Sequence, residues 1–96
     1  MITNSTIVVA KPEQVSSDLV NESVILDLKS GMYYGLNEVG SIIWKFIQSP
    51  QSVNSVVNEV INNYDVEINQ CNNDVLQLLH NLLDAKLISI CDEKNL

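Results

Sequence analysis

Few residues in this chain have side chains suited to chemistry, and they lie far apart. His80 is the single histidine, and the nearest cysteine, Cys71, lies nine residues before it. On one helix that spacing separates the two by about 13 Å along the axis, too far for a nucleophile and its base. His80 therefore reads as a helix-surface or groove residue. Neither Cys71 nor Cys91 has a His or Cys at metal-ligand spacing. Cys71 reads as a free, reduced and buried thiol, and Cys91 falls near the chain end. The acidic residues are dispersed, and Gly31, Gly35 and Gly40 do not make a phosphate-binding loop. No catalytic constellation, metal set or cofactor motif emerges, so the chain is expected not to be an enzyme.

Charge narrows the partners. The formal charge is −7, with five basic residues, all of them lysine. That balance opposes phosphate backbones and anionic membranes and permits neutral or basic peptides. No apolar run approaches the ~18 residues of a membrane span. The segment Met1–Ser5 lacks the basic and apolar regions of a secretory signal, and a cytoplasmic location is expected. At 96 residues, 46% of them apolar, residues 1–96 are read as one globular domain with loose ends at 1–5 and 92–96.

The elements that would hold a site follow from periodicity. Thr6–Ala10 is β-branched and reads as a strand, broken by Pro12. Residues 14–20 are extended, either as a second strand or as one bent strand with the first. Val24, Leu26 and Leu28 alternate with Ile25 and Asp27, the pattern of a strand with one buried face. Lys29–Gly31 is a hairpin loop in which Gly31 is free to take positive φ. Met32–Leu36 returns as a strand of large residues, and Asn37 can cap a helix.

That helix runs from about residue 38 to 48, with Val39, Ile42, Ile43, Phe46 and Ile47 on its buried stripe and Trp44 off it. Gly40 suggests close approach of a neighbour. Ser52 caps a second helix carrying Val53, Val56, Val57, Val60, Ile61 and Tyr64. A third, from about 68 to 85, places Ile68, Cys71, Val75, Leu78, Leu79 and Leu82 on one stripe, with Leu76 and Leu83 offset beside it. Leu87–Ile90 is a closing strand or arm. The expected fold is α+β: a small antiparallel N-terminal sheet of about three strands, then three helices, in a winged helix-turn-helix-like plan.

That plan raises DNA binding, but no Lys or Arg occurs between Phe46 and Ala85, so the second and third helices carry no cation. Peptide binding suits the residues better. An extended peptide can add to the Met32–Leu36 strand while alternate side chains enter pockets. The surplus apolar stripe of the third helix would wall the groove. The alternative, in which Met32, Tyr34 and Leu36 are simply core and Tyr33 is surface, stands equally open on the residues alone.

The run Ser30-Gly31-Met32-Tyr33-Tyr34-Gly35-Leu36-Asn37-Glu38-Val39-Gly40, followed by Ile43-Trp44, resembles the PqqD-like family. Tyr64-Asp65-Val66, Cys71, Asp74-Val75, Leu78, Leu79, Leu82 and Leu87-Ile88 agree in order and spacing, so the likeness covers about residues 14–90. These are recognition elements of ribosomally made, post-translationally modified peptides (RiPPs). The Tyr-Tyr strand and the Cys71 and Asp74-Val75 pattern look most like the stand-alone leader-binding proteins of lasso-peptide biosynthesis.

The resemblance implies a non-catalytic adaptor that binds a precursor's leader peptide as an added antiparallel strand against the third helix. It then presents the precursor to a leader peptidase, followed by a cyclase. Carried over by position, the peptide-binding residues are Met32, Tyr33, Tyr34, Gly35 and Leu36 on the strand. Val75, Leu76, Leu79, His80 and Leu83 are their counterparts on the helix. Lasso leaders of the family carry a Tyr and a Pro that enter an apolar pocket. Many relatives carry arginines where this chain has none. Other readings are a leader-binding partner of a radical SAM peptide-modifying enzyme, a winged-helix transcription regulator and a purely structural subunit.

Overall fold

Local sequence signals set most of the element boundaries. The computed structural model describes residues 2–12, 14–19 and 22–91. Its strands are β1 (Ile7–Ala10), β2 (Gln14–Leu19), β3 (Glu22–Asp27), β4 (Tyr33–Leu36), β5 (Gln51–Ser52) and β6 (Ile88–Cys91). Its helices are α1 (Glu38–Phe46), α2 (Val53–Asn63) and α3 (Ile68–Asp84). The order of elements matches the expected α+β plan. The choice left open around Pro12 resolves to two strands, and they belong to different sheets.

Those sheets are both three-stranded and antiparallel, in the orders β2-β3-β4 and β5-β1-β6. The first is the expected N-terminal sheet. The second is an addition in which β1 takes the closing strand β6 on one side and the two-residue β5 on the other. Residues 2–5 are tied down rather than loose. Ile2 is buried, the Asn4 carbonyl accepts from the Asn54 N–H at 3.0 Å, and the Asn4 side-chain amide donates to Asn54 and Asn72. Burying Ile2 and closing the start of α2 outweigh the weak local propensity of this segment. Residues 92–96 lie outside the described residues.

The hairpin between β3 and β4 closes as its residues suggest. Asp27 accepts from the Lys29 N–H at 3.2 Å and from the Ser30 hydroxyl at 2.9 Å. The Gly31 N–H donates to the Asp27 carbonyl at 2.8 Å, and the Asp27 N–H donates to the Met32 carbonyl at 3.0 Å. With Gly31 at φ +72, this is a glycine β-bulge beside the turn. Leu28 sits in that turn and is exposed, not in the strand as its alternation suggested.

The buried face of β3 is also the opposite of the one its alternation suggested. Ile25, paired with Tyr34, and Ser23, paired with Leu36, face the core, whereas Val24 and Leu26 are half-buried on the outer face. Both faces of the strand are apolar, so period-2 patterning has no polar side to orient it.

α1 is rotated by about one residue from its expected stripe. Gly40, Ser41, Ile43 and Trp44 are buried in it, as is Ile47 just beyond, while Val39, Ile42 and Phe46 are half-buried. The small residues Gly40 and Ser41 turn the helix toward the strands and bring Trp44 into the core. Asn37 caps the helix, accepting from the Gly40 N–H at 2.8 Å. Ser52 does the same for α2 through the Ser55 N–H at 3.1 Å. The α2 stripe of Val53, Val56, Val57 and Val60 is buried as expected.

α3 begins on an acidic cap, Glu67, which accepts from the Gln70 N–H. Cys71, Val75, Leu79 and Leu82 form its buried stripe, whereas Ile68 is exposed before the first buried turn. At its end Lys86 takes φ +63. The Leu87 N–H returns to the Leu82 carbonyl and the Lys86 N–H to the Leu83 carbonyl, both at 3.0 Å. This double closure is a Schellman stop. It buries Leu87 and aims the chain into β6.

Candidate recognition edge and cleft

A peptide can pair with β4 only if its outer edge is open. β3 lies on one side of β4, β2 lies beyond β3, and β1 belongs to the other sheet. Among the described residues nothing pairs with the other side of β4. The phase of the ladder then decides which groups face outward. Hydrogen-bonded pairs alternate in an antiparallel ladder, and the bond from the Asp27 N–H to the Met32 carbonyl sets the count. Tyr34 and Leu36 therefore bond inward to β3. Tyr33 and Gly35 turn both their N–H and C=O groups to the free edge.

Side chains on β4 divide in the same rhythm. Tyr34 is half-buried and Leu36 buried on the inner face, while Tyr33, 70% exposed, stands on the outer face. Met32 lies in the bulge before the strand and is exposed. Tyr34 and Leu36 are thus core contacts through their side chains, and the exposed backbone beside them is still available.

At the C-terminal end of β4 a cleft of about 330 Å³ opens between the start of α1 and the first half of α3. Val39, Gly40 and Ile43 form one wall, and Gln70, Asp74, Val75 and Leu78 form the other. Val60, Val66 and Cys71 complete it, and Asn37 stands at the junction with β4. The lining is mostly apolar, with one carboxylate, Asp74, on the helical wall. Exposed Val66 and Ile68 continue this apolar surface at the turn into α3. An extended chain lying on β4 would point alternate side chains inward toward this cleft.

The helical residues named from the sequence divide. Val75 lines the cleft. Leu79 has no exposed surface and is core. Leu76 and Leu83 are half-buried, His80 is exposed, and none of the three lines the cleft. Helical geometry gives the reason, because Leu76 lies about 160° around the axis from Leu78. One turn before Leu76, Asn72 accepts from the Asn4 amide, so that flank faces the N-terminal segment. Gln70, Asp74 and Leu78 line the cleft instead; periodicity shows two apolar flanks without saying which one meets the strand.

No nucleophile is prepared here. Burial, with the Asp74 carboxylate second, pushes the Cys71 thiol above its ordinary value, so it stays protonated at neutral pH. Both cysteines are free. Among the described residues no group of His, Cys, Asp or Glu could hold a metal ion. Beside the cleft, burial and the neighbouring Glu38 carboxylate raise the Tyr64 hydroxyl in the same direction.

An unpaired strand edge thus lies next to an apolar helical cleft, an arrangement whose geometry suits the addition of an extended chain. The chain belongs to the PqqD family (coenzyme PQQ synthesis protein D), whose model matches residues 22–88. Two solved structures share the fold. One is described as "TbiB1 in Complex with the TbiA(beta) Leader Peptide", with 27% identity and a TM-score of 0.78, covering 84% of this chain and 94% of that one. The other is "Lasso peptide synthetase B1 complexed with the leader peptide", with 23% identity and a TM-score of 0.74, covering 85% of this chain and 96% of that one. No protein of curated function matches the chain.

Proposed function

We propose that this chain is a non-catalytic RiPP recognition element that binds the leader of a precursor peptide and presents it, in the cytoplasm, to a maturation enzyme. The observation that carries this reading is the open β4 edge, with Tyr33 and Gly35 offering backbone donors and acceptors directly beside the α1–α3 cleft. The leader adds as an antiparallel strand and its inward side chains reach the wall of Asp74, Val75 and Leu78. The similar protein at 27% identity is described as holding a leader peptide, and the likeness of the Tyr33-Tyr34 strand and of the Cys71 and Asp74-Val75 pattern to lasso-pathway leader-binding proteins favours a lasso-type precursor. On that footing the receiving enzyme is a leader peptidase, followed by a cyclase.

Net charge −7 with no arginine supports a neutral or basic leader and weighs against nucleic acid. The test is fluorescence anisotropy of a labelled leader, encoded by a short precursor gene beside this one, titrated with the protein. Saturable binding that the core peptide does not share is the expected result. Absence of binding at high micromolar protein would refute the reading.

A further inference from the structure

Two of the three glycines are explained from inside the molecule. Gly31 holds a positive φ, and a Cβ on Gly40 would meet Leu36 and Asn37 at 3.3 Å. Gly35 has neither reason. Its φ is not positive, and a Cβ built on it meets nothing within 4 Å. It also sits exposed in an edge strand, where glycine gives up cross-strand packing and costs chain entropy. A glycine in a strand otherwise marks a place where a ligand or another backbone comes close.

The surroundings show what would come close. Gly35 pairs with Val24 across β3–β4, at a non-hydrogen-bonded position where the Cα atoms are about 4.5 Å apart. A strand added to the free edge would place one residue in a hydrogen-bonded pair with Gly35, about 5.5 Å away, with its side chain on the same outer face. Between that side chain and Val24 there is no Cβ. Val24 and Leu26 are half-buried and Tyr33 is exposed around the gap, so the notch is apolar and open.

We propose that Gly35 is a specificity notch on the outer face of the sheet. It accepts a bulky apolar side chain, best an aromatic one, from the leader residue paired with it, and that side chain lies across the glycine onto Val24 beside Tyr33. The inference rests on the strand-addition reading above and adds to it a second point of selection, on the face opposite the cleft. In an antiparallel strand the leader residue two positions further on faces Tyr33, so the selected feature is one bulky apolar residue next to, but not within, the inward-pointing set.

The test is an alanine scan of the same labelled leader against the wild-type protein, Gly35→Val and Gly35→Ala, with melting curves for each. One bulky apolar leader position should lose roughly fivefold in affinity on wild type. That loss should shrink below twofold with Gly35→Val, whose own side chain fills the notch, while the other positions keep theirs. Should Gly35→Val fail to fold, the smaller Gly35→Ala carries the same comparison. Identical scans for all three proteins would overturn the notch and leave the leader reading standing. Absence of saturable binding to wild type would overturn both.

Discussion

Leu36 and Gly40 meet so closely that a methyl group on Gly40 would stand 3.3 Å from both Cβ and Cδ2 of Leu36. This contact joins the end of β4 to the first turn of α1. Gly→Ala in a helix ordinarily stabilises by up to about 1 kcal/mol, but overpacking costs about 1–3 kcal/mol. The crowded atoms are Leu36 near its backbone and the Asn37 cap oxygen, neither of which can swing away. Gly40→Ala is therefore expected to destabilise by about 1 kcal/mol in a denaturant titration, and a gain in stability would show that the strand can shift.

Proline scanning of β4 separates its two edges. Tyr33→Pro removes an N–H that faces the free side, so the protein should fold and lose leader binding. Tyr34→Pro removes an N–H bonded to β3, so it should collapse the hairpin itself. Circular dichroism and anisotropy on the two variants read the difference. Unchanged affinity in folded Tyr33→Pro would place the peptide elsewhere.

The two flanks of α3 should respond differently to substitution. Leu78→Ala and Asp74→Lys, on the cleft side, are expected to weaken leader binding, the first by about 1 kcal/mol of apolar contact. Leu76→Ala and His80→Ala, on the far flank, should leave affinity unchanged. Leu79→Ala should cost about 3 kcal/mol of stability, because it hollows the core. Binding isotherms paired with melting curves distinguish these outcomes.

High pH should loosen the fold in a specific order. The folded protein holds the Cys71 thiol neutral above its ordinary value of 9.0 and the Tyr64 hydroxyl neutral above 10.0. The unfolded chain ionises first, so it binds fewer protons than the native state and stability falls as pH rises. Melting temperature should be insensitive to these two groups below about pH 8 and decline above 9. Cys71→Ala should flatten the first part of that decline, and an unchanged slope would exclude the thiol as its source.

Much of this architecture is written in local signals. Asn37 and Ser52 are helix caps by residue type, Gly31 marks the bulge, and the valines of α2 keep a single buried stripe. The structure departs from the periodic pattern chiefly where segments are apolar on two sides. Val24 and Ile25 compete for the buried face of β3, and pairing with Tyr34 decides for Ile25. Leu76 and Leu78 compete as wall residues on α3, and the position of the N-terminal segment decides which of them faces the cleft. Trp44 and Val39 compete on α1, and the closeness of Gly40 to Leu36 settles the rotation. Tertiary contacts of this kind carry no periodic signature. The second sheet escaped for a related reason, since β5 is too short to show a pattern and β1 declares no partner.

Amide hydrogen exchange at single-residue resolution reads out strand addition on β4 residue by residue. In the free protein the Tyr33 and Gly35 amides should exchange fast while the Tyr34 and Leu36 amides are protected by β3. Saturating leader peptide should slow Tyr33 and Gly35 selectively, by an order of magnitude or so for about 1.4 kcal/mol of added protection. Protection that appears elsewhere on the molecule, with Tyr33 and Gly35 still exchanging fast, would contradict strand addition on β4.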